Sequence, residues 1–168
     1  MKLSILIPAT KEHQRHLDRL LALLMPQTKE FEGGIEVYIE ADHKMAIGSK
    51  CNSLLKDAIG KYVWFLNPTD VISDTAVSDI FTAIESEPDS VTISGSTAIN
   101  GKAEDWTVSN TWQNPMKRSI AIRESFRKRS VKAIQIWEKR LNNISPFVHV
   151  VAIEKPIVRN NVELSVVK

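Results

Sequence analysis

Leu3-Ser-Ile-Leu-Ile-Pro-Ala9 is a continuous apolar run closed by a proline, and Tyr62-Val-Trp-Phe-Leu-Asn-Pro-Thr-Asp70 repeats that arrangement further along the chain. Apolar runs of this length, without alternation, are the pattern of strands covered on both faces. Between them, Ile35-Glu-Val-Tyr-Ile-Glu40 gives another strand after the Gly33-Gly34 turn. Helical spacing fills the gaps. Leu17, Leu20, Leu21 and Leu24 recur at i, i+3, i+4 and i+7, which predicts a helix over 12–25 ended by Pro26. Leu54, Leu55 and Ala58 predict a second helix over 49–59, with Gly60 just past its end. Val77, Ile80, Phe81 and Ile84 predict a third, capped by Ser73 or Asp74 and running to about residue 85. Residues 90–94 read as a further strand, Asn100-Gly101 as a hairpin turn and 103–119 as irregular. Val131, Ile134, Trp137 and Leu141 predict a helix over 130–141, and 149–153 and 157–159 read as late strands.

Strands alternating with helices through short connections define an α/β domain with a mostly parallel central sheet flanked by helices, here one domain over residues 1–168. Such sheets take ligands beyond the carboxyl ends of their strands. Those ends are Pro8-Ala9-Thr10, Glu40-Ala41-Asp42 and Asn67-Pro68-Thr69-Asp70, all polar after buried strands.

Composition narrows the class. A chain of 168 residues, 43% hydrophobic, can bury a core without staples. Its one cysteine excludes a disulfide framework and a Cys-rich zinc site, and four dispersed histidines argue against a His-only one. No apolar run approaches the ~18–20 residues that span a bilayer, and the run ending at Ile7 is too short for a secretion signal, so a cytoplasmic protein is expected. There is no G-x-G-x-x-G after the first strand, no G-x-x-x-x-G-K-[ST], no G-x-S-x-G and no H-E-x-x-H. Residues 117–140 carry nine Lys and Arg against two Glu on a chain whose net charge is only +2, so a basic segment sits on an acidic remainder. It reads either as a surface for an anion or as a solvated face.

Together these stretches resemble family 2 glycosyltransferases of the GT-A fold. The opening strand, the second strand ending in an acid, and Gly48-Ser-Lys-Cys-Asn52 followed by Leu54-Leu55, Ala58, Gly60, Tyr62 and Phe65-Leu66 match the family pattern in order and spacing. The likeness covers residues 3 to about 85, and continues weakly through Asn114-Pro-Met-Lys-Arg118. It implies a GT-A-like sandwich with a Rossmann-like nucleotide-binding half (about 1–90) and an acceptor-side, basic part (about 91–168). The implied activity is transfer of a sugar from a nucleoside-diphosphate donor, with a UDP-linked sugar as the expected one, to a hydroxyl acceptor on a saccharide, a protein or a modified nucleic acid. The implied donor site is Pro8, Ala9, Thr10 and Glu12 around the base; Glu40 and Asp42, whose carboxylates accept hydrogen bonds from it; Lys50 and Asn52 near a helix start; Asn67 and Thr69; and Lys117 and Arg118 facing phosphate. Lys50 also reads as an exposed helical lysine, Glu40 as a solvated strand-end acid, and Asn52 as a residue that holds a loop through backbone hydrogen bonds. Cys51 reads as a small packed hydrophobe.

Two departures stand against this pattern. The family's D-x-D motif, whose acids hold Mg²⁺ or Mn²⁺ against the donor phosphates, reads Asn67-Pro68-Thr69 here, leaving Asp70 as the following acid and as the candidate ligand for a weakly held or absent ion. The late acidic pair that supplies the general base is missing as well; Ser130-Val131-Lys132 stands before Trp137, and Glu138 is the nearest acid in that helix, with Glu124 and Asp105 as outlying candidates. Asp70 and Glu138 are therefore the catalytic candidates of a divergent transferase, with the cationic cluster 117–129 compensating for the metal. The alternatives are a GT-A-like binding protein without catalysis, and a basic nucleic-acid-binding accessory using Trp106, Trp112 and Trp137 as stacking platforms.

Overall fold

In the computed structural model the described residues are 1–99, 102–107, 112–128, 132–144 and 149–162. Eight strands form one sheet: β1 (Leu3–Pro8), β2 (Ile35–Glu40), β3 (Tyr62–Phe65), β4 (Asp70–Ile72), β5 (Ser90–Ile99), β6 (Lys102–Thr107), β7 (Met116–Lys117) and β8 (Val150–Val162). Their order is β2-β1-β3-β7-β5-β8-β4, with β6 paired to β5. Parallel pairing joins β2, β1 and β3, and also β5 and β8; antiparallel β7 lies between the two groups. The helices are α1 (Gln14–Lys29), α2 (Ile47–Asp57), α3 (Ala76–Ala83), α4 (Arg118–Ala121) and α5 (Ala133–Ile144).

Strand alternation sorts the core into two layers. Leu3, Ile5 and Ile7 of β1 with Tyr62 and Trp64 of β3 pack on Leu17, Leu20 and Leu24 of α1 and Val77 and Ile80 of α3. Leu6, Val63 and Phe65 face the other way, onto Leu54 and Leu55 of α2, Trp112, Phe126, and Trp137 and Leu141 of α5. Phe126 stacks on Trp137 with centroids 4.6 Å apart and planes 10° from parallel, worth about 1 kcal/mol beyond the area buried.

Several local expectations are corrected. Pro26 lies inside α1 rather than at its end. The last turn is held from outside: Gln27 Nε2 donates to Leu23 O and Ser73 O, both at 3.0 Å, and its Oε1 accepts from Val77 N at 3.1 Å. Gly60 does not adopt a left-handed conformation, which among the described glycines only Gly33 does. It is needed for space, because a Cβ there would lie 2.5 Å from Ser4 Oγ and 2.6 Å from Ser4 N. The third helix is shorter than expected and has no side-chain cap at its start, where Thr75 precedes it. Residues 103–119 contain β6, β7 and the start of α4, and the two late strands are one, β8, interrupted by register shifts opposite Ser94. The Asn100-Gly101 turn and the Ser130-Val131 helix start fall outside the described residues.

Candidate functional site

The carboxyl ends of the first three strands lie side by side. Pro8 pairs with Glu40, and Ala9 N donates to Glu40 O at 2.8 Å; Leu6 pairs with Phe65, and Leu66 N donates to Leu6 O at 3.0 Å. Ala9 is buried, and its carbonyl accepts from the ammonium of Lys50 on α2, itself only 1% exposed. Lys50 is thus not the exposed helical lysine; its charge lies beneath the edge, with one of its three donors spent on Ala9. Thr10 Oγ1 meets His13 Nδ1 at 2.9 Å and fixes the short turn at 11–13, where Glu12 stands exposed. Glu40 Oε1 accepts from Asp42 N at 3.0 Å, and Asp42 Oδ1 from Lys44 N at 2.9 Å, so both acids shape the loop leading into α2. The start of α2 is crossed by the chain after α4: a Cβ on Gly48 would collide with Arg127 O.

The end of β3 holds the most perturbed acid. Asp70 is 2% exposed, and Asn67 N donates to its Oδ2 at 2.7 Å, as does Gln113 Nε2 at 2.8 Å. Oδ1 is buried without a partner among the described residues. Burial pushes the pKa up to about 7, against the opposing pull of the Asn67 and Gln113 hydrogen bonds. The residue before Gln113 reaches the second candidate acid: Trp112 N donates to Glu138 Oε1 at 2.8 Å. Burial raises the Glu138 pKa and the Trp112 hydrogen bond lowers it, with burial winning. The next residue, Asn114, is fully buried and accepts from Ile93 N at 3.3 Å. Three consecutive residues thus tie β3's exit, α5 and β5 together. Gln113 and Trp112 carried no motif, so the sequence offered no signal for this role.

A divalent ion bridging phosphates needs ionised oxygen ligands. Asp70 offers a single carboxylate, and half-buried Asn67 and Thr69 bring no charge. Among the described residues no three of His, Cys, Asp and Glu come together as a metal group. The donor set does not fit an ion held by a pair of acids.

Lys117 and Arg118 lie elsewhere. Lys117 pairs with Tyr62 at the amino end of β3, and its Nζ bridges Asp89 at 2.8 Å; Arg118 N donates to Lys61 O at 2.8 Å. An antiparallel pairing distant in sequence carries both to the end of the sheet opposite the Asp70 edge, so they do not join the site. Asn52 clasps a loop: its Nδ2 donates to Phe126 O at 2.9 Å and its Oδ1 accepts from Phe126 N at 2.8 Å. Cys51 is fully buried, its thiol pushed up to about 12 by burial, and inert. Trp112 and Trp137 are core residues, 7% and 1% exposed, and cannot serve as stacking platforms. The side chains of Trp106 and Asp105 fall outside the description.

The fold is the GT-A-like α/β arrangement expected from the sequence, with the carboxyl ends of the first three strands gathered on one edge. S. aureus TarS shares it. Its 1–349 fragment in complex with UDP-GlcNAc matches 97% of this chain with a TM-score of 0.74 at 14% identity; the same fragment with UDP matches 97% at 0.73 and 13%. A longer TarS chain matches 96% at 0.71 and 13%. This chain spans 59%, 61% and 37% of those chains respectively, and at such identity the likeness is one of fold. No family model matches the chain, and no curated protein sequence matches it. No helix among the described residues is long and apolar enough to cross a membrane.

Proposed function

We propose that this chain is the donor-binding core of a divergent glycosyltransferase that takes a UDP-linked sugar and transfers it to a hydroxyl acceptor without a dedicated metal ion. The observation that carries this reading is the convergence of three strand ends, through the Pro8–Glu40 and Leu6–Phe65 pairs, beside two acids tied to consecutive residues. The base lies against Ala9 and Thr10, with Glu40 and Asp42 as acceptors. The diphosphate lies over the Lys50 charge beneath the edge. In the transfer, the acceptor oxygen forms a bond to the anomeric carbon as the bond from that carbon to the diphosphate oxygen breaks. The acceptor proton passes to Glu138, whose raised pKa suits a general base, and UDP leaves with the electron pair. Asp70, through Oδ1, hydrogen-bonds the donor sugar or ribose. Neighbours seen with UDP and UDP-GlcNAc support the choice of donor class.

Calorimetry with UDP, with and without Mn²⁺, tests the proposal. Binding in both conditions is expected; no binding in either removes it. UDP release from a panel of UDP-sugars then separates the transferase from a binding protein without catalysis.

A further inference from the structure

A cleft of about 510 Å³ runs along the flank of α2, lined by Asn52, Lys56, Arg118, Ile122, Phe126 and Lys128, with Glu124 at its side. A second cleft of about 320 Å³ shares Arg118 and Ile122 with it and adds Ile59 and Lys61. Arg118 anchors both at the amino end of β3, away from the Asp70 edge.

The charges here are unbalanced. Neighbouring cations have found carboxylates: Lys61 meets Glu87 at 2.6 Å and Lys117 meets Asp89 at 2.8 Å. Glu124 is taken by Arg140 at 3.1 Å. Lys56 and Lys128 form no ion pair among the described residues. Among the described residues the Arg118 guanidinium reaches only Leu55 O, at 3.5 Å, and its buried Nε has no acceptor. A buried donor without an acceptor forfeits its hydration for nothing, so an incoming oxygen is favoured. Arg presents a planar fork suited to phosphate, and flanking lysines act as point charges. Beside these cations stand two exposed aliphatic side chains, Ile59 at 68% and Ile122 at 50%.

We propose that the joined clefts bind a phosphoryl group, held by Lys56, Arg118 and Lys128, with Ile59 and Ile122 meeting the apolar part of the molecule that carries it. Its Lys56 and Arg118 end is removed from the Asp70 edge, its Lys128 end reaches the start of α2, where Ser49 Oγ donates to Lys128 O at 3.4 Å, and the proposal does not depend on the transferase reading. Two sources share this chemistry, a soluble phosphate ester and a phospholipid headgroup.

Amide chemical shifts during titration with sodium phosphate, and sedimentation with vesicles of phosphatidylcholine alone or with 30% phosphatidylglycerol, test it at low salt. Phosphate is expected to move the amides of Lys56, Ser125 and Lys128, and the Lys56→Gln and Lys128→Gln variants are each expected to weaken binding about fivefold, the size of one lost phosphate contact of ~1 kcal/mol. Binding to the phosphatidylglycerol vesicles that Ile122→Ser weakens identifies a lipid source; phosphate binding without vesicle binding identifies a soluble ester. Lys56, Lys128 and Ile122 are exposed or half-exposed, so these variants fold. Absence of binding in both arms, or binding unchanged by Lys56→Gln and Lys128→Gln together, overturns the proposal. UDP calorimetry on the Lys56→Gln variant, at the other end of α2 from Lys50, stays as in the wild type; a loss of UDP affinity there would merge the two sites and overturn the proposal.

Discussion

The two ends of β3 treat charge in opposite ways. At its amino end the two lysines meet carboxylates, Lys61 with Glu87 and Lys117 with Asp89, and Arg118 keeps a buried Nε without an acceptor among the described residues. At its carboxyl end Asp70 is buried with only neutral donors, and one of its oxygens has no partner, among the described residues. A fold seeking stability alone would not bury an acid this way, because desolvation exceeds what two neutral hydrogen bonds return. The difference marks the carboxyl end as the one where a perturbed buried acid supports the proposed chemistry.

The largest expected effect lies in the rate. Glu138→Gln should lower UDP release by ~10²–10⁴-fold while leaving the UDP affinity within about twofold, as expected on losing a general base. Equal loss of affinity would reassign Glu138 to a structural role through Trp112. Next comes the pH dependence of stability. Because burial raises the Asp70 pKa from 3.8 to about 7, the native state holds that proton more tightly than the unfolded chain. Its contribution is full below pH 3.8 and is lost as pH rises to about 7, by at most ~1.4 kcal/mol per pH unit. Asp70→Asn, which keeps the shape and removes the titration, should be the more stable protein at pH 7.5 and should lose that advantage by pH 4. Urea denaturation at several pH values measures it, and parallel profiles would show that Asp70 is not buried as described.

Smaller effects separate the two ends further. Gly48→Ala forces the crossing chain away from the start of α2 and should cost ~1–3 kcal/mol in urea denaturation, with weaker UDP binding. An unchanged midpoint would mean that the loop yields freely. At the other end, Lys117→Ala removes a partly exposed ion pair and should cost under ~1 kcal/mol without altering UDP binding. A clear loss of UDP affinity there would return Lys117 to the donor site.

Much of the first half was legible because its signals are local. The apolar runs of β1 and β3, the α1 stripe and the loop-holding alternative for Asn52 all follow from neighbours a few residues apart. Pro26 misled because what continues α1 is Gln27 reaching Ser73 and Val77, a contact no spacing rule records. Lys117 and Arg118 misled for a related reason: a two-residue strand has no periodicity, and its antiparallel pairing with β3 decides which edge its side chains serve. Gln113 was invisible because a glutamine acquires its role only from the buried carboxylate beside it.

The pairing of Asp70 with Asn160 has a consequence for biosynthesis. The short strand that carries the acid closes against β8, so the pocket cannot reach its final shape on the ribosome until residue 160 has emerged. A chain stopped before then would own every residue of the first three strand ends and still lack the strand that seats Asp70. The finished edge is thereby withheld from incomplete products by the order of synthesis itself.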